Sequence, residues 1–252
     1  MESLMMYLMI CPLVFAAGVV DAIAGGGGLI SLPAYMIAGV PVHAAIATNK
    51  MSAAMGTTIA TYRFAKNGYI NWKQALPCVL FALAGSYLGA KITLLLSADV
   101  FRVVMLIILP LTAFYVMGKK SLTAEKQPFS YGKTLFLCAT ISFCIGVYDG
   151  FYGPGTGTFL ILLLTALAHI ALQEAAGTTK VINLSTNISA LTVFLANGMV
   201  DLKMGIIAGC FSIAGNYIGV KLFAEKGVKF VKPFMIAVLV IFLVKTIREM
   251  MV

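Results

Sequence analysis

Charge is what this chain has least of. Only 11% of its 252 residues are Asp, Glu, Lys or Arg, where a soluble domain carries roughly 25%. Nine acidic and 18 basic residues are too few to coat a folded surface in water. That excludes an ordinary cytosolic enzyme, a nucleic-acid binder and a disordered chain. Histidine is scarcer still. His43 and His169, both at the far ends of short apolar segments, leave no material for a clustered His/Asp/Glu or Ser/His constellation. No enzyme activity, cofactor or metal is therefore expected. The five cysteines, Cys11, Cys78, Cys138, Cys144 and Cys210, form no C-x-x-C pair and sit inside apolar runs, where cysteine packs as a small hydrophobe. Met1-Glu2-Ser3 lacks the basic region of a cleaved signal, so the first helix is expected to be retained.

What is present is apolar: 61% of residues are hydrophobic and the mean hydropathy is +0.99. Dense apolar segments separated by short charged loops read as an all-α polytopic membrane protein. The segments fall at 4–24, 29–41, 44–65, 74–96 and 101–118, then 133–149, 157–170, 174–196, 204–222 and 231–248. A helix needs about 20 residues to cross a bilayer core, and 29–41 and 157–170 are too short. Each follows a glycine cluster, Gly25-Gly26-Gly27-Gly28 or Gly153-Pro154-Gly155-Thr156-Gly157. Short, glycine-broken segments at matching places in two halves point to a transporter's binding site.

The halves match. A shift of 130 lays 43–92 over 173–222, pairing Thr48 with Thr178, Lys50 with Lys180, Asn67 with Asn197, Gly68 with Gly198, Gly85 with Gly215 and Gly89 with Gly219. A shift of 128 pairs Gly18 with Gly146, Asp21 with Asp149, Gly25 with Gly153 and Gly27 with Gly155. The chain is thus an internal duplication: a first membrane repeat at 1–118, a cytoplasmic linker at 119–132 and a second repeat at 133–252. The net charge of +9 works as a topology signal, since basic loops favour the cytoplasm. An odd number of crossings per copy gathers most of them on one side. An inverted repeat of eight to ten membrane-embedded helices, with two glycine-broken, spanning or re-entrant segments and both termini outside, follows. So does a multi-pass place in the plasma membrane, the inner membrane of a bacterium or archaeon.

The candidate substrate-binding residues follow from bilayer chemistry. Unwound backbone at membrane depth is tolerated only within protein or along a watery cavity, and a helix starting there aims N–H groups and a positive dipole end into it. Gly25, Gly26, Gly27, Gly28, Gly153, Gly155, Thr156 and Gly157 are therefore expected at one anion site. Lys50 and Lys180 lie in Ala47-Thr48-Asn49-Lys50 and Gly177-Thr178-Thr179-Lys180. An ionisable group inside a membrane helix faces a cavity or a partner, and an ammonium suits an oxyanion. Thr48, Asn49, Thr178, Thr179, Asn183 and Asn187 offer hydrogen bonds to a polar solute, or glue between helices. Asp21 and Asp149 could couple transport to a proton, cap the following turn, or pair with the lysine of the other copy. Gly85 with Gly89 and Gly215 with Gly219 form small-xxx-small pairs that permit close helix crossing.

Two ordered signatures carry a family resemblance. GVVDAIAGGGGLISLP at 18–33, ATNK at 47–50 and NGYINW at 67–72 resemble the first half-signature of the sulfite exporter TauE/SafE family. GVYDGFYGPGTGTFL at 146–160, GTTKVINLSTN at 177–187 and NGMVDL at 197–202 resemble the second. The resemblance implies a permease for sulfite, sulfoacetate or related organosulfonates, with eight spans from a duplication of four, against the five segments per copy read from the residues. The expected function is alternating-access transport of a small sulfur-containing anion, ion- or proton-coupled. A carrier for a different small solute, or an anion channel with the same glycine turns, is the alternative. The expected partners are a small anionic solute and the lipid bilayer, not nucleic acid, with a homo-oligomer left open.

Overall fold

The computed structural model describes residues 2–97 and 127–226. The predicted segments 101–118 and 231–248 lie outside these residues, as does most of the linker. Every regular element among the described residues is helical. The first copy contributes α1 (Glu2–Ala24), α2 (Gly28–Ile37), α3 (Val42–Lys66) and α4 (Trp72–Leu95). The second contributes α5 (Tyr131–Phe151), α6 (Thr156–Ala166), α7 (Leu172–Ala196) and α8 (Leu202–Lys226).

Local chemistry explains the breaks. α1 and α5 run into the glycine clusters, and after each a short apolar helix follows, α2 of 10 residues and α6 of 11. The ends of α3 and α7 repeat one device. Gly68 (φ +73°) and Gly198 (φ +67°) take the left-handed conformation that a side chain resists. Tyr69 N–H then reaches the Phe64 carbonyl and Gly68 N–H the Ala65 carbonyl, while Met199 reaches Phe194 and Gly198 reaches Leu195. This is the Schellman arrangement, which satisfies helix-end carbonyls before the chain reverses.

Among the described residues, four helices, α1 (from Leu4), α4, α5 and α8 (to Glu225), are long and apolar enough to cross a membrane. α3 and α7 have 25 residues each but carry most of the buried polar groups, Thr48, Asn49, Lys50, Ser52, Thr57 and Thr61 on one, Thr178 through Lys180, Asn183, Ser185, Thr186 and Asn187 on the other. Their neighbours shield them. α4 packs along α5 and α1 along α8, while α8 also packs on α3, α4 on α7, and α3 on α7. The partners exchange between copies: what α8 does for α1 and α3, α4 does for α5 and α7. The expected small-xxx-small contacts are present, since Gly85 and Gly89 lie against the α5 backbone at Phe143 and Val147, and Gly215 and Gly219 against α1 at Phe15 and Val19.

Contact registers give the helix directions. Met51 meets Gly205 and Met55 meets Gly209, so α3 and α8 run the same way. Gly215 faces Phe15 and Gly219 faces Val19 and Ala22, so α1 runs with them. Gly146 faces Ala82 and Gly150 faces Ser86, so α4 and α5 are parallel. α4 returns against α3, placing the Leu96 carbonyl 3.2 Å from His43 Nε2. α3 and its counterpart α7 are opposed: Thr61 donates to the Lys180 carbonyl at 3.1 Å, while Asn187 donates to Thr57 at 3.4 Å, with one number rising as the other falls.

Candidate functional site

The glycine turns of the two copies touch. Gly25, at φ +75°, lies so close to Gly157 that a Cβ on either would strike the other's backbone, and Gly28 faces Pro154. Thr158 ties the copies together, its N–H donating to the Gly25 carbonyl at 3.2 Å and its hydroxyl to the Ala24 carbonyl at 2.8 Å. Within α2, Ser31 N–H and Ile30 N–H both return to the Gly27 carbonyl.

A hollow of about 40 Å³ opens beside this junction. Of the residues expected at the site, Gly25, Gly27, Gly28, Asn49, Lys50, Gly153, Thr156, Gly157, Asn183 and Asn187 line it, and so do Asp21 and Asp149. Both copies contribute, through α1, α2 and α3 from one and α5 to α8 with the second glycine turn from the other.

The charged residues pair across copies. Lys50 Nζ lies 2.8 Å from Asp149 Oδ2, and both side chains are 3% exposed. Lys180 Nζ donates to the Asp21 backbone carbonyl and lies 3.8 Å from Asp21 Oδ2, in a side chain that is 17% exposed. The Phe64 ring lies 5.9 Å from the same ammonium. Four charges buried among the helices are thus held as two pairs, the arrangement by which buried ions avoid an uncompensated desolvation cost.

The remaining candidates stand apart from the lining. Gly26 and Gly155 shape the turns. Thr48 accepts the Asp201 N–H at 3.0 Å, and Asp201 Oδ1 accepts the Met204 N–H at 2.9 Å, so Thr48 braces the start of α8. Thr178 and Thr179 are fully buried, and their hydroxyls find no partner among the described residues. Lys180 sits behind Asp21 rather than on the hollow.

Sequence reasoning missed part of the wall: Gly18, Ser31, Ser212 and Asn216 also line it, together with Ser52, a hydroxyl on the same helix as Lys50. Tyr35 donates to Ser52 at 3.0 Å, and Ser52 donates to the Asn49 carbonyl at 3.0 Å. Asn216 had one visible signal. It is an asparagine between Gly215 and Gly219 in an apolar helix, at the register where the first copy has Ser86.

Residues 10–246 match the family described as Sulfite exporter TauE/SafE. The chain is 34% identical over 235 residues to "Probable membrane transporter protein ORF9" of a Sinorhizobium species, covering 93% of this chain and 90% of that one. It is 32% identical over 224 residues to a "Probable membrane transporter protein" of Haemophilus influenzae, covering 88% and 87%. With "Probable membrane transporter protein YfcA" of Escherichia coli K12 the identity is 30% over 247 residues, covering 94% and 91%. No solved structure gives a significant match. The chain belongs to the sulfite exporter TauE/SafE family, a family of membrane transporters.

Proposed function

We propose that this chain, as a member of the sulfite exporter TauE/SafE family, is a permease that carries a small sulfur-containing anion through the hollow between its two glycine turns. One observation carries the reading: the turns meet in the interior, beside a hollow walled by both copies and by buried polar groups. Gly25, Gly27, Gly28 and Gly157 bring main chain to the hollow without side chains in between. Asn49, Thr156, Asn183 and Asn187 add hydrogen-bonding groups in place of water, and Lys50 adds positive charge.

About 40 Å³ is room for roughly three waters, the scale of a small oxyanion. The opposed directions of α3 and α7 support an inverted repeat across the plasma membrane. Rocking of one copy against the other would then expose the hollow to each side in turn. The Lys–Asp pairs set the charge condition. Asp149 neutralises Lys50 and Asp21 faces Lys180, so an anion is held only when an ion or proton supplies a counter-charge. Binding and conformational change suffice, and no covalent step is invoked.

The test is sulfite flux in vesicles reconstituted with the purified chain. Saturable flux is expected, together with thermal stabilisation by sulfite that chloride does not reproduce. Replacing Lys50 and Lys180 together by alanine is expected to abolish both. A folded double variant with unchanged flux would remove the anion site from this position.

A further inference from the structure

The charges around the hollow cancel: Asp21, Lys50 and Asp149 line it, and Lys180 stands against Asp21. An anion entering a neutral, water-poor site meets a large desolvation cost unless a positive charge comes with it. The structure shows where that charge can sit. Asp21 is the most exposed member of the two ion pairs, at 17% against 3% or less for the others, and its lysine is 3.8 Å away.

Asn216 lines the same hollow from α8. Its Nδ2 donates to the Ser212 carbonyl at 3.0 Å, which turns Oδ1 away, and that oxygen finds no donor among the described residues although Asn216 is only 2% exposed. Gly18, one turn before Asp21 on α1, and Gly56 on α3 lie directly against this amide. The other copy closes the equivalent position, where Ser86 donates to the Thr186 carbonyl at 2.6 Å. Asp21 also lies at the carbonyl end of α1, which favours a cation. Ser212 on the same wall adds another oxygen. A proton would occupy one acceptor, whereas a hard cation gathers several oxygens at once.

We propose that the Asp21 carboxylate and Asn216 Oδ1 form a site for one monovalent metal cation, sodium, that enters together with the anion. This rests on the anion-permease reading for its role, while the site itself can be tested without any anion.

The experiment measures thermal unfolding of the purified full chain in NaCl against N-methylglucamine chloride, then sulfite affinity in each. Sodium alone is expected to stabilise the wild type, and to tighten sulfite binding at least tenfold. Asn216→Ser, which installs the first copy's residue, is expected to lose both responses, while Ser86→Ala keeps them. Absence of a sodium response in a folded wild type, a response intact in Asn216→Ser, or sulfite binding that follows pH and ignores sodium would each overturn the proposal. Sodium stabilisation that Asn216→Ser removes, with no sulfur oxyanion bound under any salt, would uphold the cation site and overturn the anion reading instead.

Discussion

Lys50 of the first copy holds Asp149 of the second at 2.8 Å, with both side chains 3% exposed. Neither group has water to fall back on, so the pair is a join between the repeats as well as a feature of the hollow's wall.

Removing one partner leaves a buried charge alone. Lys50→Met is expected to lower the unfolding free energy by roughly 3–5 kcal/mol, and the added change Asp149→Leu to restore most of it. Thermal unfolding of the two single variants and the double variant measures this coupling. Transport should stay lost in the double variant, because the Lys50 ammonium that lines the hollow is gone.

The contact between Gly25 and Gly157 admits no side chain. Gly157→Ala is expected to separate the turns, lowering thermal stability and stopping flux, because an added Cβ meets the Gly25 backbone. Gly39→Ala is the contrast. Gly39 also has positive φ but open space around it, so a cost of about 1 kcal/mol and retained flux are expected.

Thr48 separates a structural role from a binding one. It braces Asp201 at the start of α8 and does not line the hollow. Thr48→Val is expected to cost about 1 kcal/mol of stability while the sulfite KM is unchanged. A raised KM with unchanged unfolding would return Thr48 to the binding site.

Helix direction can be read chemically. Cysteines replacing Met55 and Gly209 should form a disulfide under mild oxidation, as should a pair replacing Met51 and Gly205, because each methionine side chain lies on its glycine. The crossed pair, Met51 with Gly209, should not. Mass spectrometry of the digested chain distinguishes the outcomes, and antiparallel packing of α3 and α8 would invert them.

The sequence by itself determined the class of molecule, because scarcity of charge is a property of composition and needs no fold to take effect. It also carried the matched motifs of its two halves and the places where helices must break, since a glycine's conformational freedom and a Schellman end at Gly68 or Gly198 are decided within one helical turn. Lys50, Lys180, Asp21 and Asp149 were legible as paired positions for the same reason: an ion inside an apolar helix needs a partner. Which partner it takes was a matter of tertiary structure. The packing of α3 on α7 and the meeting of the two glycine turns bring Lys50 to Asp149 and Lys180 to Asp21, across separations that no local rule spans. The same packing turned Thr48 toward α8, buried Thr178 and Thr179 off the hollow, and brought Asn216 between Gly18 and Gly56. Position along a helix is written in the chain, but the side of the helix that meets the cavity is set by the neighbours that cover the rest.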